Sequence, residues 1–231
     1  MATTNRGRPR SFDRDAALGA AALLFWEKGF EATSVRDLTD RLGVEAPSLY
    51  RAFGDKRRLF EEAVAEYDRT YGGFIDLAFA EESTARDVVL RLLAEGPRRY
   101  TRAGLPRGCL VVSGDAGTAD AEVAGYMVAM RSANVDRLAD RIARDVEAGE
   151  LPAAVDALAL ARFVFATLNG LAEAAREGVP VEELESVAAI AAGAVGLGVL
   201  AFKGVSALLA KSSKTAATAA GHTGRLEPAP L

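Results

Sequence analysis

Residues 33–53 read TSVRDLTDRLGVEAPSLYRAF, and this stretch decides the fold. Ser34-Val35-Arg36-Asp37 has the spacing of a capping box, in which the Ser34 hydroxyl accepts from the backbone N–H of Asp37 while the Asp37 carboxylate reaches back. A short helix over Val35–Leu42 follows, and Gly43 stops it. After a brief turn Pro47, tolerated in a first helical turn, opens a second short helix over Ala46–Phe53. Two short helices across a glycine-containing turn have the geometry of a helix-turn-helix, whose second helix enters the major groove of DNA.

Helical periodicity continues on both sides. Upstream, Ala17, Ala21, Leu24 and Phe25 recur at helix spacing over Phe12–Lys28, with Gly29 as a stop. Downstream, Gly54-Asp55 punctuates the chain, and Leu59, Phe60, Ala63, Val64 and Tyr67 share one side of a helix that begins near Lys56. Beyond Tyr71-Gly72-Gly73 the helices lengthen, at about 84–102, 118–148, 153–177 and 181–202, with a short one near 106–113. Pro97, Pro106, Pro152 and Pro180 mark joints or kinks, and Gly149 and Gly178 read as helix ends. No segment alternates in the manner of a strand, so the expected fold is all-α. Residues 1–70 form a three-helix head, 71–202 a helical body, and 203–231, rich in Ala, Ser, Thr and Lys, a tail expected to be disordered.

Composition narrows the function classes. Half of the 231 residues are apolar and 26% are charged, a globular balance. A single Cys allows no internal disulfide or four-thiolate metal site. The single histidine, His222, stands in the tail, which argues against a Ser-His-Asp triad, a Cys-His pair or a multi-His metal site. No carboxylates, lysines or tyrosines cluster at a catalytic spacing, so neither enzyme activity nor a cofactor or metal is expected. Residues 1–60 hold eleven Lys/Arg against eight Asp/Glu, whereas the remainder carries a net charge of −7. A basic head on an acidic body suits a polyanion contact confined to one end. The opening MATTNRGRPRSF is polar and basic without an apolar run behind it, and the expectation is a cytoplasmic protein. The sixteen uncharged residues from Val187 to Phe202 are short for a membrane span and contain Gly193, Gly196 and Gly198, as a closely packed helix would.

Around the helix pair, Arg6, Arg8 and Arg10 form a basic arm, and Ser48, Tyr50, Arg51 and Lys56 supply hydroxyls and cations for phosphate contacts. The run from Gly29 to Leu38, then Leu42-Gly43-Val44, then Ser48 to Phe60 with its Tyr50-x-x-Phe53 and Lys56 after the turn, resembles the DNA-binding domain of TetR/AcrR-family transcriptional regulators. The resemblance covers about a quarter of the chain. It implies an all-helical homodimer with a helix-turn-helix head and a body that dimerises through a four-helix bundle and holds an inducer pocket. The expected DNA-binding set is then Arg8, Arg10, Thr33, Arg36, Glu45, Ala46, Ser48, Tyr50, Arg51 and Lys56, with Arg36, Ala46 and Ser48 as candidates for base readout. Glu45 departs from the Ser or Thr common in the family: its carboxylate either repels phosphates or accepts from a cytosine N4 amine.

In the body, Arg107-Gly108-Cys109-Leu110 resembles a helix start in one subset of the family where an equivalent Cys senses oxidants or electrophiles. Cys109 is either such a sensor, activated by a cation such as Arg107, or a small buried apolar residue. Tyr126, Met130, Asn134, Phe163, Thr167 and Asn169 lie on or near the apolar stripes of the helices at 118–148 and 153–177. With Cys109 they form the expected pocket set, though such a stripe also serves as plain core. Small residues let helices approach closely, and the resemblance matches this segment to the helix of the dimer bundle, which makes Ala189, Ala192, Gly193 and Gly196 the expected dimer contacts. The resemblance therefore implies a repressor that binds a palindromic double-stranded operator as a homodimer, without a membrane, and is released by a small apolar or aromatic inducer. The alternatives are a constitutive or architectural DNA binder without inducer, and a redox-responsive regulator acting through Cys109.

Overall fold

The computed structural model describes residues 13–196, which are helical with no strand among them. The elements are α1 (Arg14–Lys28), α2 (Val35–Leu42), α3 (Ala46–Phe53), α4 (Lys56–Tyr67), a π-helical turn (Asp68–Gly72), α5 (Phe74–Glu81), α6 (Ala85–Tyr100), α7 (Leu110–Ser113), α8 (Ala121–Glu147), α9 (Ala157–Arg176) and α10 (181–196). The expected arm with Arg8 and Arg10, the expected tail at 203–231 with His222, and residues 197–202 of the helix expected over 181–202 lie outside the described residues.

Local side-chain chemistry sets the ends of the head helices. Asp13 caps α1 by accepting from the Ala16 amide at 3.1 Å. The capping box of α2 is complete, with the Asp37 amide donating to Ser34 Oγ at 3.0 Å and the Ser34 amide to Asp37 Oδ2 at 2.8 Å. Gly43 ends α2 in the left-handed conformation, φ 64° and ψ 36°, which costs a glycine nothing. Asp55 caps α4 by accepting from the Arg58 amide at 2.8 Å. Leu38, Leu49, Leu59, Phe25 and Phe60 are fully buried between these helices, and Phe25 meets Phe60 edge-on at 5.1 Å.

The boundary expected at residue 70 is not a break in the core. Leu110 and Val111 of α7 and Val123 and Met127 of α8 belong to the same apolar cluster as the head. They cover the faces of α1 and α4 that α2 and α3 leave bare, and the Phe30 amide donates to the Gly114 carbonyl at 2.7 Å. An Arg57–Glu122 ion pair joins α4 to α8 nearby.

The body is built on α6, α8, α9 and α10 around Leu92, Leu93, Leu138, Ile142, Val164 and Leu168. Asp145 is buried and accepts from the Ala85 amide at 2.6 Å, tying α8 to the start of α6. Gly108, at φ 86°, would place a Cβ 2.9 Å from the Ala172 carbonyl oxygen, so this position demands glycine. α9 is long and apolar enough to cross a bilayer, but Ala161, Val164, Leu168 and Leu171 pack into the body core. Compared with expectation, the helix near 106–113 shrinks to Leu110–Ser113, Pro97 stands inside α6, and the chain after Gly73 continues into α5. Phe74 and Ala78, four residues apart, bury the inner side of that unpredicted helix.

Candidate DNA-binding face and ligand cavity

The helix pair turns one face of α3 outward and one inward. Leu49 and Phe53 are buried, whereas Tyr50 is 45% exposed and Glu45, Pro47 and Arg51 are also exposed; Ser48 and Ala46 are half-buried. Glu45 occupies the N-cap of α3 without a side-chain capping bond, so its carboxylate is free of the α3 amides. Arg36 on α2 has a side chain 90% exposed and a loose 3.7 Å pairing with Asp40. Lys56 begins α4 with its ammonium 4.2 Å from the centre of the Phe30 ring, and partial burial lowers its pKa against the opposing pull of Glu31 and Asp37. Lys28 bonds Asp37 at 2.7 Å across α1 and α2; together with the Ser34 bonds, this holds the Asp37 carboxyl well below its usual range.

Thr33 does not belong to this face. Its side chain is 0% exposed, and its hydroxyl donates to the Gly29 carbonyl at 2.6 Å, closing the turn before α2. A buried hydroxyl with a backbone acceptor is structural, and it cannot reach a phosphate.

Behind the head lies a cavity of about 250 Å³. Tyr67 at the end of α4, Asp68 and Gly72 of the π-helical turn, Phe74, Tyr100 and Phe165 form much of its wall. Of the seven residues expected in a pocket, Cys109, Asn134 and Asn169 line it. The other four do not. Tyr126 and Met130 pack on the head cluster, where the Tyr126 hydroxyl donates to the Glu61 carbonyl at 3.3 Å. Phe163 is exposed on the outer side of α9, and Thr167, one turn on, donates to the Phe163 carbonyl at 2.9 Å. A stripe of apolar residues along a long helix meets different neighbours at each turn, which spacing does not reveal.

Burial raises the Cys109 thiol pKa, against hydrogen bonding from Tyr67 and the Val111 and Val112 amides. The cation expected to activate it is engaged elsewhere: Arg107 donates to the carbonyls of Ala175 at 2.6 Å and Val179 at 2.5 Å. Of the expected dimer contacts, Ala189, Gly193 and Gly196 are exposed, whereas Ala192 is half-buried against the body core. Leu158 and Phe163 on α9 and Val187 and Ile190 on α10 add large exposed apolar groups, with Ile190 at 74%.

The sequence pattern described as bacterial regulatory proteins, tetR family, matches residues 17–63, the segment that builds the helix-turn-helix core. The chain belongs to this tetR family of regulators. It is 32% identical over 191 residues to the HTH-type transcriptional repressor ComR of Escherichia coli K12, covering 80% of this chain and 89% of ComR. It is 34% identical over 189 residues to the repressor BdcR of the same organism, covering 82% of this chain and 92% of BdcR. Among solved structures, a cysteine-substituted form of the TetR-family regulator CifR, complexed with a 26-base-pair double-stranded operator, superposes with a TM-score of 0.76. That match has 39% identity and covers 81% of this chain and 99% of CifR.

Proposed function

We propose that this protein is a ligand-responsive repressor that binds a two-fold symmetric operator as a homodimer. α3 enters the major groove, Tyr50 and Lys56 hold phosphates, and Arg36, Ala46 and Ser48 face the bases. The exposed apolar groups of α9 and α10 meet their copies in a second chain, and a two-fold axis between two heads calls for a palindromic site. ComR and BdcR, matched over most of their length, are named as repressors.

One observation carries the ligand response: the cavity wall includes Tyr67 and the π-helical turn that extend α4, whose opposite end carries Lys56. Twelve residues of helix at about 1.5 Å each make a rod of roughly 18 Å between ligand and DNA face. A small molecule with apolar or aromatic bulk in the cavity displaces one end of the rod and so shifts the head. A coupling of about 1–3 kcal/mol changes operator affinity roughly 5–150-fold.

The test uses an operator selected from random DNA, followed by fluorescence anisotropy against a panel of aromatic compounds. Asn169→Phe, which fills the cavity, should bind the operator yet lose release by any compound that releases the wild type. Release unchanged in Asn169→Phe, or no compound acting on the wild type, would replace this reading with constitutive binding. A second reading, covalent modification of Cys109, draws on its place in the cavity wall. Its raised pKa calls for alkylation slower than that of a free thiol at neutral pH, with Cys109→Ser as the control.

A further inference from the structure

The cavity is not uniformly greasy, and its charges can be assigned one by one. Arg131 is neutralised by both carboxylate oxygens of Asp115, each at 2.9 Å. Arg162 and Asp136 sit on exposed positions at the cavity edge. Asp68 is different: it is partly buried, lines the cavity, and its carboxylate has no hydrogen-bond or ion-pair partner among the described residues. The cation closest to serving it, Arg137, is bound to Asp76 and lies over the Phe79 ring. The π-helical turn makes room for this carboxylate, since a Cβ on Gly72 would lie 2.5 Å from Asp68 Oδ1. Tyr67, Phe74, Tyr100 and Phe165 present aromatic rings around the same space.

A carboxylate without an ion-pair partner beside several aromatic rings is the environment in which an organic cation gains both Coulombic and cation–π attraction. We propose that the ligand of this cavity is an organic cation, a substituted ammonium on an apolar or aromatic body, with Asp68 as its counter-ion. The inference rests on the ligand-responsive reading above and specifies the chemistry of its effector. Burial and the neighbouring Asp76 raise the Asp68 pKa against the opposing pull of Arg137.

Two probes of the same shape separate charge from bulk: phenyltrimethylammonium and tert-butylbenzene. Calorimetry on the full chain should show the ammonium binding at least ten-fold more tightly than the hydrocarbon. Asp68→Asn should remove that preference while leaving tert-butylbenzene binding unchanged and the unfolding temperature no lower than in the wild type. Gly72→Ala, which keeps the carboxylate but crowds it, should weaken the ammonium selectively. Equal or tighter binding of the hydrocarbon to the wild type overturns the cation proposal and leaves the cavity reading standing. A preference that survives in Asp68→Asn overturns the role of Asp68, and binding of neither probe overturns the proposal together with the cavity reading.

Discussion

Lys56→Met removes one charge from the edge of the DNA-binding face while keeping most of the side chain over Phe30. In the folded protein the ammonium stands 4.2 Å from the Phe30 ring centre, so the substitution forfeits about 0.5–1 kcal/mol of cation–π attraction. Against a domain stability of roughly 5–15 kcal/mol the head stays folded. The loss on DNA is larger and has a signature. If, as proposed, Lys56 makes one phosphate contact in each of two heads per operator, a slope of about 0.9 per contact makes the log–log salt dependence shallower by about 1.8. Between 50 and 200 mM salt, taken as about a four-fold change, the affinity ratio of wild type to variant should therefore shrink about 12-fold. Anisotropy on the selected operator and on a scrambled duplex should show the same shallower slope for both, because a phosphate contact reads no sequence. An unchanged slope with lowered affinity would refute the contact and assign Lys56 to packing alone.

Three further outcomes follow from the geometry. Thr33→Val should cost about 1–3 kcal/mol in urea unfolding by orphaning the Gly29 carbonyl, with operator affinity unchanged under conditions where the variant is fully folded; the reverse pattern would return Thr33 to the DNA face. Ile190→Glu combined with Phe163→Glu should leave a folded monomer in sedimentation at micromolar concentration, and a dimer surviving both charges would move the interface elsewhere. The Asp37 carboxyl, lowered by Lys28 and Ser34, stabilises the native head above its unfolded value of 3.8, and that support is lost as pH falls through the lowered native value. Asp37→Asn should accordingly flatten the acid limb of head unfolding below about pH 4, measured by circular dichroism, and an identical acid limb in both proteins would contradict the assignment.

Much of the head was legible in the sequence because its signals are local. Ser34 and Asp37, Gly43, Pro47 and Asp55 act within three or four residues of themselves, and the bounds of α2 and α3 fall where those residues place them. The outward placement of Tyr50 and Arg51 against buried Leu49 and Phe53 likewise follows from helical spacing alone. Polar character does not say which way a side chain turns: Thr33 is buried, its hydroxyl bonded to a backbone carbonyl four residues earlier. α5 escaped notice because its eight residues are short beside the glycine pair that precedes them, although Phe74 and Ala78 carried the signal.

What the tertiary structure alone decided is the cavity and the joint behind the head. Tyr67 and Asp68, Tyr100, Cys109, Asn134, and Phe165 with Asn169 come from five separate segments, and no spacing in the chain relates one segment to another. Tyr126 and Met130, on the same helix as Asn134, were drawn to the head because α1 and α4 expose apolar surface there, and hydrophobic burial has no directional code in the sequence. Helix formation depends on neighbours a turn away, whereas a binding site depends on which distant faces happen to exclude water from one another.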